Sequence, residues 1–285
     1  MVTVLAAIDL TPLGRRVADR SRLVAEGVGG EVRVFHSVEP LTEAFVGSGV
    51  AEIIRDHRLR ATREVADWCA ERSSVPVHAV TVKGAPSYEI VKASKSVDLV
   101  VLGSSTTDNV EVGATTFRVA ETARSDVLVV RRQPRVAYRR VIVGVDFSHG
   151  SAMAVDSAMR WAAPDAEITA AYVLPSRFDP FMLEAGMFPE EVDQLRRVRL
   201  EEAGLKLEEF VERWPGRVRP YFTDGPAESV LEDVARRRNA DLVVVGSRGA
   251  GATKIVLLGT VASTVLRAVP SDVLIARVPG DFRRP

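Results

Sequence analysis

The sequence predicts an α/β protein made of two tandem, doubly wound (Rossmann-like) halves, each a five-stranded parallel sheet flanked by helices. Three observations carry this expectation. Short apolar runs alternate with segments of helical spacing. The same order of runs occurs twice. The length of 285 residues then gives each half about 140 residues, enough for its own core.

The first strand is expected over residues 2–8, followed by a helix over 13–28. Strands at 32–36 and 77–82 flank a second helical segment, 51–73. Strands at 99–102 and 127–130 complete the first half. Several of these runs are nearly continuous in Val, Ile and Leu, the pattern of strands buried on both faces of a parallel sheet. The second half repeats the series at 141–145, 168–173, 218–222, 242–245 and 273–275, with a helix beginning near Ser151 and a last helix over 261–268. Strand and helix in alternation imply βαβ units with right-handed crossovers.

The repeat is explicit in three places. Ile8-Asp9-Leu10-Thr11 corresponds to Val145-Asp146-Phe147-Ser148 at an offset of 137. Asp98-Leu99-Val100-Val101-Leu102-Gly103-Ser104 matches Asp241-Leu242-Val243-Val244-Val245-Gly246-Ser247 at 143, and Ser125-Asp126-Val127-Leu128 matches Ser271-Asp272-Val273-Leu274 at 146. Offsets that grow slowly along the chain mean a duplication with a few later insertions. The expected domains are residues 1–132 and 138–280. Between them lies a short basic link, Arg131-Arg132-Gln133-Pro134-Arg135-Val136, too short to let the halves wander.

Composition is that of a globular chain, with 46% apolar and 27% charged residues and no net charge. The balance holds within each half, so no basic field exists to draw nucleic acid or a membrane surface. The run Arg236-Arg237-Arg238 fits the last turn of a helix, where cations are favoured. No apolar run reaches the roughly 18 residues of a membrane span, and no charged leader precedes the first strand. Cys69 is the single cysteine, which excludes an internal disulfide. With Trp68 beside it in a helical stretch, it reads as a buried small residue. The expected location is cytoplasmic.

Gly246-Ser247-Arg248-Gly249 and, ten residues on, Gly259-Thr260 form the pattern G-x2-G-x9-G-T between a strand and the last helix. Glycine lets a ligand approach the backbone, and a helix beginning at Gly259-Thr260 points N–H groups and its positive dipole end at the same spot. Phosphate suits that arrangement. Lys254 stands after Thr253, so no Walker A loop is present, and G-x-G-x-x-G is absent.

With the preceding strand of type D-L-V-V-V-G-S, this spacing resembles the ATP-binding signature of the universal stress proteins. Residues 260–275 also look like that family's last helix and strand. The resemblance covers nearly the whole chain, in two copies. It implies a strand order of 3-2-1-4-5 in each half. It also implies pairing of the last strands across an internal pseudo-dimer, 127–130 with 273–275. Ligands bind where such a strand order reverses, beyond the ends of the first and fourth strands, which carry Asp146 and Gly246.

The resemblance places adenine nucleotide, ATP with or without Mg²⁺, against Asp146, Val173, Val245, Gly246, Ser247, Arg248, Gly249, Gly259, Thr260, Val261 and Ala262. Asp9, Gly103 and Gly113 form the weaker counterpart in the first half. Each assignment has a plain alternative. Asp146 is a pocket carboxylate or a helix N-cap. Val173 reads adenine through its main chain or is a core valine. Ser247 and Thr260 contact phosphate or serve as caps. Arg248 and Lys254 supply charge to phosphate or lie exposed.

The first half departs from the pattern. Thr106 replaces a glycine, Ala114 replaces Thr260, the loop is three residues shorter, and Asp108 and Glu111 fall inside it. A weakened or altered site is expected there.

Catalytic groupings are sparse. His36, His57, His78 and His149 lack metal spacing. Asp146, Ser148 and His149 have triad letters, but neighbours in sequence seldom reach triad geometry. No general base stands out, so at most slow ATP hydrolysis is expected.

The insert 175–189, with Phe178, Phe181, Met182, Met187 and Phe188, covers adjacent helices, packs over the nucleotide or binds a partner. Residues 41–50 are its smaller counterpart. The functional expectation is a nucleotide-dependent stress-response regulator, with a further homodimer and a protein partner left open. The alternatives are an AMP or cyclic AMP sensor, a partner-binding module that no longer needs nucleotide, and, weakest, an adenylyl transferase-like enzyme.

Overall fold

The computed structural model describes residues 1–39, 49–104, 112–174, 178–248 and 258–278. The first half runs β1 (Thr3–Ala7), α1 (Pro12–Val28), β2 (Glu31–Val38), α2 (Gly49–Ala70), β3 (Val77–Lys83), α3 (Pro86–Ala93), β4 (Leu99–Gly103), α4 (Ala114–Thr122) and β5 (Asp126–Val130). The second runs β6 (Arg140–Val145), α5 (His149–Trp161), β7 (Glu167–Leu174), α6 (Phe178–Glu184), α7 (Pro189–Val211), β8 (Val218–Asp224), α8 (Ala227–Arg237), β9 (Leu242–Gly246), α9 (Thr260–Ala268) and β10 (Asp272–Ala276).

Local chemistry sets several boundaries. Thr11 accepts the Leu13 N–H and Pro12 occupies the first helical position, so α1 starts there. It stops at Gly29, whose φ of 60° suits a residue without a β-carbon. Arg236 and Arg237 lie in the last turn of α8, as expected of that basic run.

Within each half the strands are parallel and in the expected order, and the last strands pair across the junction as the resemblance implies. One ten-stranded sheet runs β3-β2-β1-β4-β5-β10-β9-β6-β7-β8. β5 and β10 pair antiparallel about Leu128↔Leu274, with Val127 opposite Ile275 and Val129 opposite Val273. Repeat mates therefore exchange places across the junction, as in an isologous interface. Each last strand would otherwise present an open edge. Pairing leaves only β3 and β8 as edges, and Pro220 in β8 is tolerated at such a place.

Helices cover both faces. α1, α2, α5 and α7 pack on one apolar layer with Val17, Cys69, Val155 and Leu207. α3, α4, α8 and α9 pack on the other with Ile90, Val119, Leu231 and Val265. β1 and β10 are buried along their whole length, which explains their unbroken apolar runs.

Two aspartates begin the paired strands, and both bond across the junction. Asp272 accepts the Arg131 N–H at 2.8 Å, the Arg132 N–H at 3.0 Å and the Tyr138 hydroxyl at 2.6 Å. Its repeat mate Asp126 accepts the Arg277 N–H at 2.9 Å and the Trp161 indole N–H at 2.8 Å. The link is thus no loose tether. Arg131 is buried, and Arg16 and Arg20 of α1 donate to the carbonyls of Arg131 and Val136.

Candidate functional site

The ends of β6 and β9 lie side by side, since these strands pair over Val141↔Leu242 to Val143↔Val244. Strand order reverses here, and Asp146 and Gly246 emerge from the two ends. Each is followed by a helix start.

Beyond β6 the chain makes a tight turn. Phe147 takes a φ of 63°, unusual for a residue with a β-carbon. The Asp146 carboxylate holds the turn, accepting the Ser148 N–H at 3.1 Å and the Ser148 hydroxyl at 2.5 Å. Ser148 in turn accepts the Ser151 N–H at 3.1 Å and is the N-cap of α5. The N-cap alternative for Asp146 is corrected: the cap is Ser148, and Asp146 positions it. The first half repeats the device. Leu10 has a φ of 54°, and Asp9 accepts the Thr11 N–H and hydroxyl at 3.2 and 2.6 Å. The triad reading fails on the same geometry. Ser148 spends its hydroxyl proton on Asp146, while His149 is exposed on the first turn of α5.

The glycine-lined wall has a partner that the sequence did not flag. A β-carbon on Gly246 would lie 3.0 Å from the Gly150 carbonyl oxygen, and one on Gly150 would lie 2.7 Å from the Arg248 carbonyl oxygen. Two bare backbones pass each other, so Gly246 serves packing as well as any ligand. Ser247 donates its N–H to Ala276 at 2.9 Å and accepts the Gly259 N–H at 2.8 Å. The second bond ties the exit of β9 to the start of α9. Ser247 is 1% exposed, and its hydroxyl has no hydrogen-bond partner among the described residues. A buried hydroxyl without a partner is costly, and uncommon unless something unseen completes it.

α9 begins at Gly259, and no side chain caps it. Thr260, Val261 and Ala262 form its first turn, with Thr260 exposed and Ala262 buried. Val245 is buried opposite Ile275. Val173 is buried as well, one residue past the point where β6 stops pairing with β7, at Val145↔Tyr172. Arg248 is half-buried. Gly249 and Lys254 lie outside the described residues. The structure therefore brings Asp146, Gly246, Ser247, Arg248, Gly259 and Thr260 together at the carboxyl ends of β6 and β9.

In the first half Gly103 ends β4 and Gly113 caps α4, again without a side-chain bond. The decisive difference is Leu13, the repeat mate of Gly150. Its side chain fills the space over Gly103, where a β-carbon would meet Cδ2 at 2.5 Å. The Thr116 hydroxyl donates to the Gly103 carbonyl at 2.8 Å; its mate Ala262 has no such group. Thr106, Asp108 and Glu111 lie outside the described residues.

The other face of this edge carries aromatic and basic groups. Phe147 stacks on Tyr172 with ring centres 4.5 Å apart, and Phe210 and Trp214 extend the cluster. Burial, joined by the Asp146 charge, raises the Tyr172 phenol above its ordinary range, while Arg199 opposes. In the first half His36 takes the place of Tyr172. Burial lowers its imidazole, Nδ1 lies 2.9 Å from the Ile8 carbonyl, and buried Nε2 has no hydrogen-bond partner among the described residues. Of the insert, residues 175–177 lie outside the described residues. Phe181 and Phe188 are 67% and 70% exposed, so these two do not cover adjacent helices. Among the described residues no group of three His, Cys, Asp or Glu is placed to hold a metal, and no helix is long and apolar enough to cross a membrane.

The fold defines a class: a doubled α/β protein whose strand order reverses between the first and fourth strands of each half. The chain belongs to the universal stress protein family, whose profile matches residues 1–131 and again 137–277. It is 28% identical over 233 residues to a universal stress protein of Mycolicibacterium smegmatis, covering 76% of this chain and 74% of that one. A universal stress protein of Methanocaldococcus jannaschii is 28% identical over 144 residues, 50% of this chain and 84% of its own. The crystal structure of a universal stress protein from Archaeoglobus fulgidus superimposes with a TM-score of 0.69 at 20% identity, covering 98% of each chain. That likeness concerns the fold.

Proposed function

We propose that the second half, residues 138–280, binds ATP at the edge formed by β6, β9 and α9, and that the chain acts as a nucleotide-dependent stress-response regulator. The observation that carries this reading is Ser247. Its buried hydroxyl lacks a partner among the described residues, beside a helix start that none of their side chains caps. An anion there gains the hydroxyl, the first-turn N–H groups of α9 and the positive end of its dipole. Asp146 stands across the edge for the nucleoside, and the Val173 main chain lies just past the last β6 pair for the base edge. Gly249, Val261, Ala262 and Val245 complete the proposed set. The residues fit a triphosphate, which would bring Mg²⁺ with it rather than find a prebuilt metal cage.

The first half, residues 1–132, is the weaker site, because the Leu13 side chain covers Gly103 where, in the second half, only the Gly150 backbone lies against Gly246. Asp9, Gly103 and Gly113 are the counterparts there of Asp146, Gly246 and Gly259.

Calorimetric titration of the full chain with ATP and Mg²⁺ tests the reading. One site per chain, lost in Ser247→Val, is expected. Absence of binding by ATP, AMP and cyclic AMP alike would overturn it. Preference for AMP or cyclic AMP would keep the pocket and move the function to sensing that ligand.

A further inference from the structure

The helix that offers its N-terminus to the proposed ligand is held at its other end by the opposite half. Arg131 follows β5 and is 8% exposed. Its Nη2 donates to the Leu266 carbonyl, in the last turn of α9, and its Nη1 donates to the Ser271 carbonyl at 3.3 Å. Its backbone N–H is fixed on Asp272. The mate Arg277, 5% exposed, follows β10 and does the same to α4. Its Nη2 donates to the Ala120 carbonyl and its Nη1 to the Glu121 carbonyl at 3.4 Å, with its N–H on Asp126. Each last helix is thus clamped at its C-terminus by an arginine from the other half. A cation is favoured at the negative end of the dipole, and the rigid guanidinium fork fixes direction as well as charge. Burial pushes the Arg131 guanidinium down to about 10, against the pull of Asp272, so this cation is kept inside the junction at a cost.

We propose that Arg131 is a positioning residue for the ligand end of α9, so that the first half sets the nucleotide affinity of the second. The inference rests on the reading that nucleotide binds at the N-terminus of α9. That helix has nine residues and is about 13 Å long. It is a short rigid rod: loosening the Arg131 end tilts the Thr260 end, and small displacements at a binding group are costly.

The test compares Arg131→Met with Arg277→Met in the full chain. Each loses its bond to the matching helix carbonyl, Leu266 or Ala120, and a second carbonyl bond, so a purely structural role lowers stability in both and separates neither in binding. The expected result is a roughly five- to tenfold weaker ATP affinity in Arg131→Met, the scale of a coupling change, and less than about twofold in Arg277→Met. Equal effects on affinity would overturn the proposal.

Hydrogen exchange without nucleotide separates this from failure of the ATP reading. Faster exchange in α9 for Arg131→Met and in α4 for Arg277→Met supports the clamp even if wild-type protein binds no ATP. Unchanged exchange in α9 overturns it. If Arg131→Met does not fold, Arg131→Lys, which keeps the charge but loses the fork, is read by the same two measurements.

Discussion

Gly150 in the first turn of α5 and Arg248 just beyond β9 meet backbone to backbone, close enough that a β-carbon on Gly150 would stand 2.7 Å from the Arg248 carbonyl oxygen. The helix start that follows Asp146 and the strand exit that leads into the glycine pattern are therefore one unit. In the first half the same helix position is Leu13, whose side chain covers Gly103.

Gly150→Ala forces the Arg248 carbonyl or the α5 backbone to move. The expected cost is about 1–3 kcal/mol, the usual range for overpacking. ATP affinity should fall with it. Urea unfolding and calorimetric titration check both; an unchanged midpoint together with unchanged affinity would refute the contact.

Asp146→Ala and Asp9→Ala each remove two hydrogen bonds to a capping residue. Each should lose about 1 kcal/mol of stability, the typical worth of a cap. Only Asp146→Ala should weaken ATP binding. Similar weakening by Asp9→Ala would mean that the first half binds nucleotide too.

Asp272→Ala removes a buried carboxylate that serves Arg131, Arg132 and Tyr138 and lies 3.5 Å from Arg20 Nε. Buried cations are left without their counter-charge, and about 3–5 kcal/mol should be lost. Thermal unfolding measures this; a loss near that of a surface substitution would sink it.

His36 gives the stability curve an acid slope. Burial lowers its folded-state pKa below the ordinary 6.5, while Arg58 adds to the shift and the Ile8 carbonyl and Asp9 oppose it. The unfolded chain then binds the proton first. Stability is fully present above pH 6.5 and is lost as pH falls from there toward the folded-state value. The slope is at most about 1.4 kcal/mol per pH unit. Urea unfolding at pH 7.5 and 5.5 should show a smaller acid loss in His36→Phe than in wild type. Equal losses would assign the slope to other groups.

Cys69 is wholly buried, and burial pushes its thiol up to about 12. Reaction needs the thiolate and access, so a disulfide reagent at pH 8 should label it only as fast as the protein opens. Rapid labelling of native protein would contradict the buried placement.

Much of the fold was legible because parallel strands buried on both faces must be apolar throughout. The runs at 99–102 and 242–245 could hardly be anything else. That Gly246, Ser247 and Gly259-Thr260 meet at the start of α9 was legible because glycine spacing between a strand and a helix is a local signal. Gly150 was not: a single glycine inside a helix carries no local mark of what lies opposite. Leu13 reads as an ordinary core residue until Gly103 is seen beneath it. The link at 131–136 looked like a charged tether, since charge in a connecting segment usually means solvent.

The sequence by itself determined the doubled α/β plan, the order of elements and the family, because each rests on periodicity and spacing along the chain. Only the tertiary structure decided the register in which the two last strands meet, with Leu128 opposite Leu274. It also decided that Ser148 rather than Asp146 caps α5, and that Arg131 and Arg277 each hold the other half's last helix. Those facts depend on groups more than a hundred residues apart meeting at a junction where buried donors and acceptors must find partners. The Ser148 cap is local, yet it turns on the positive φ of Phe147, a conformation that no residue type at that position announces.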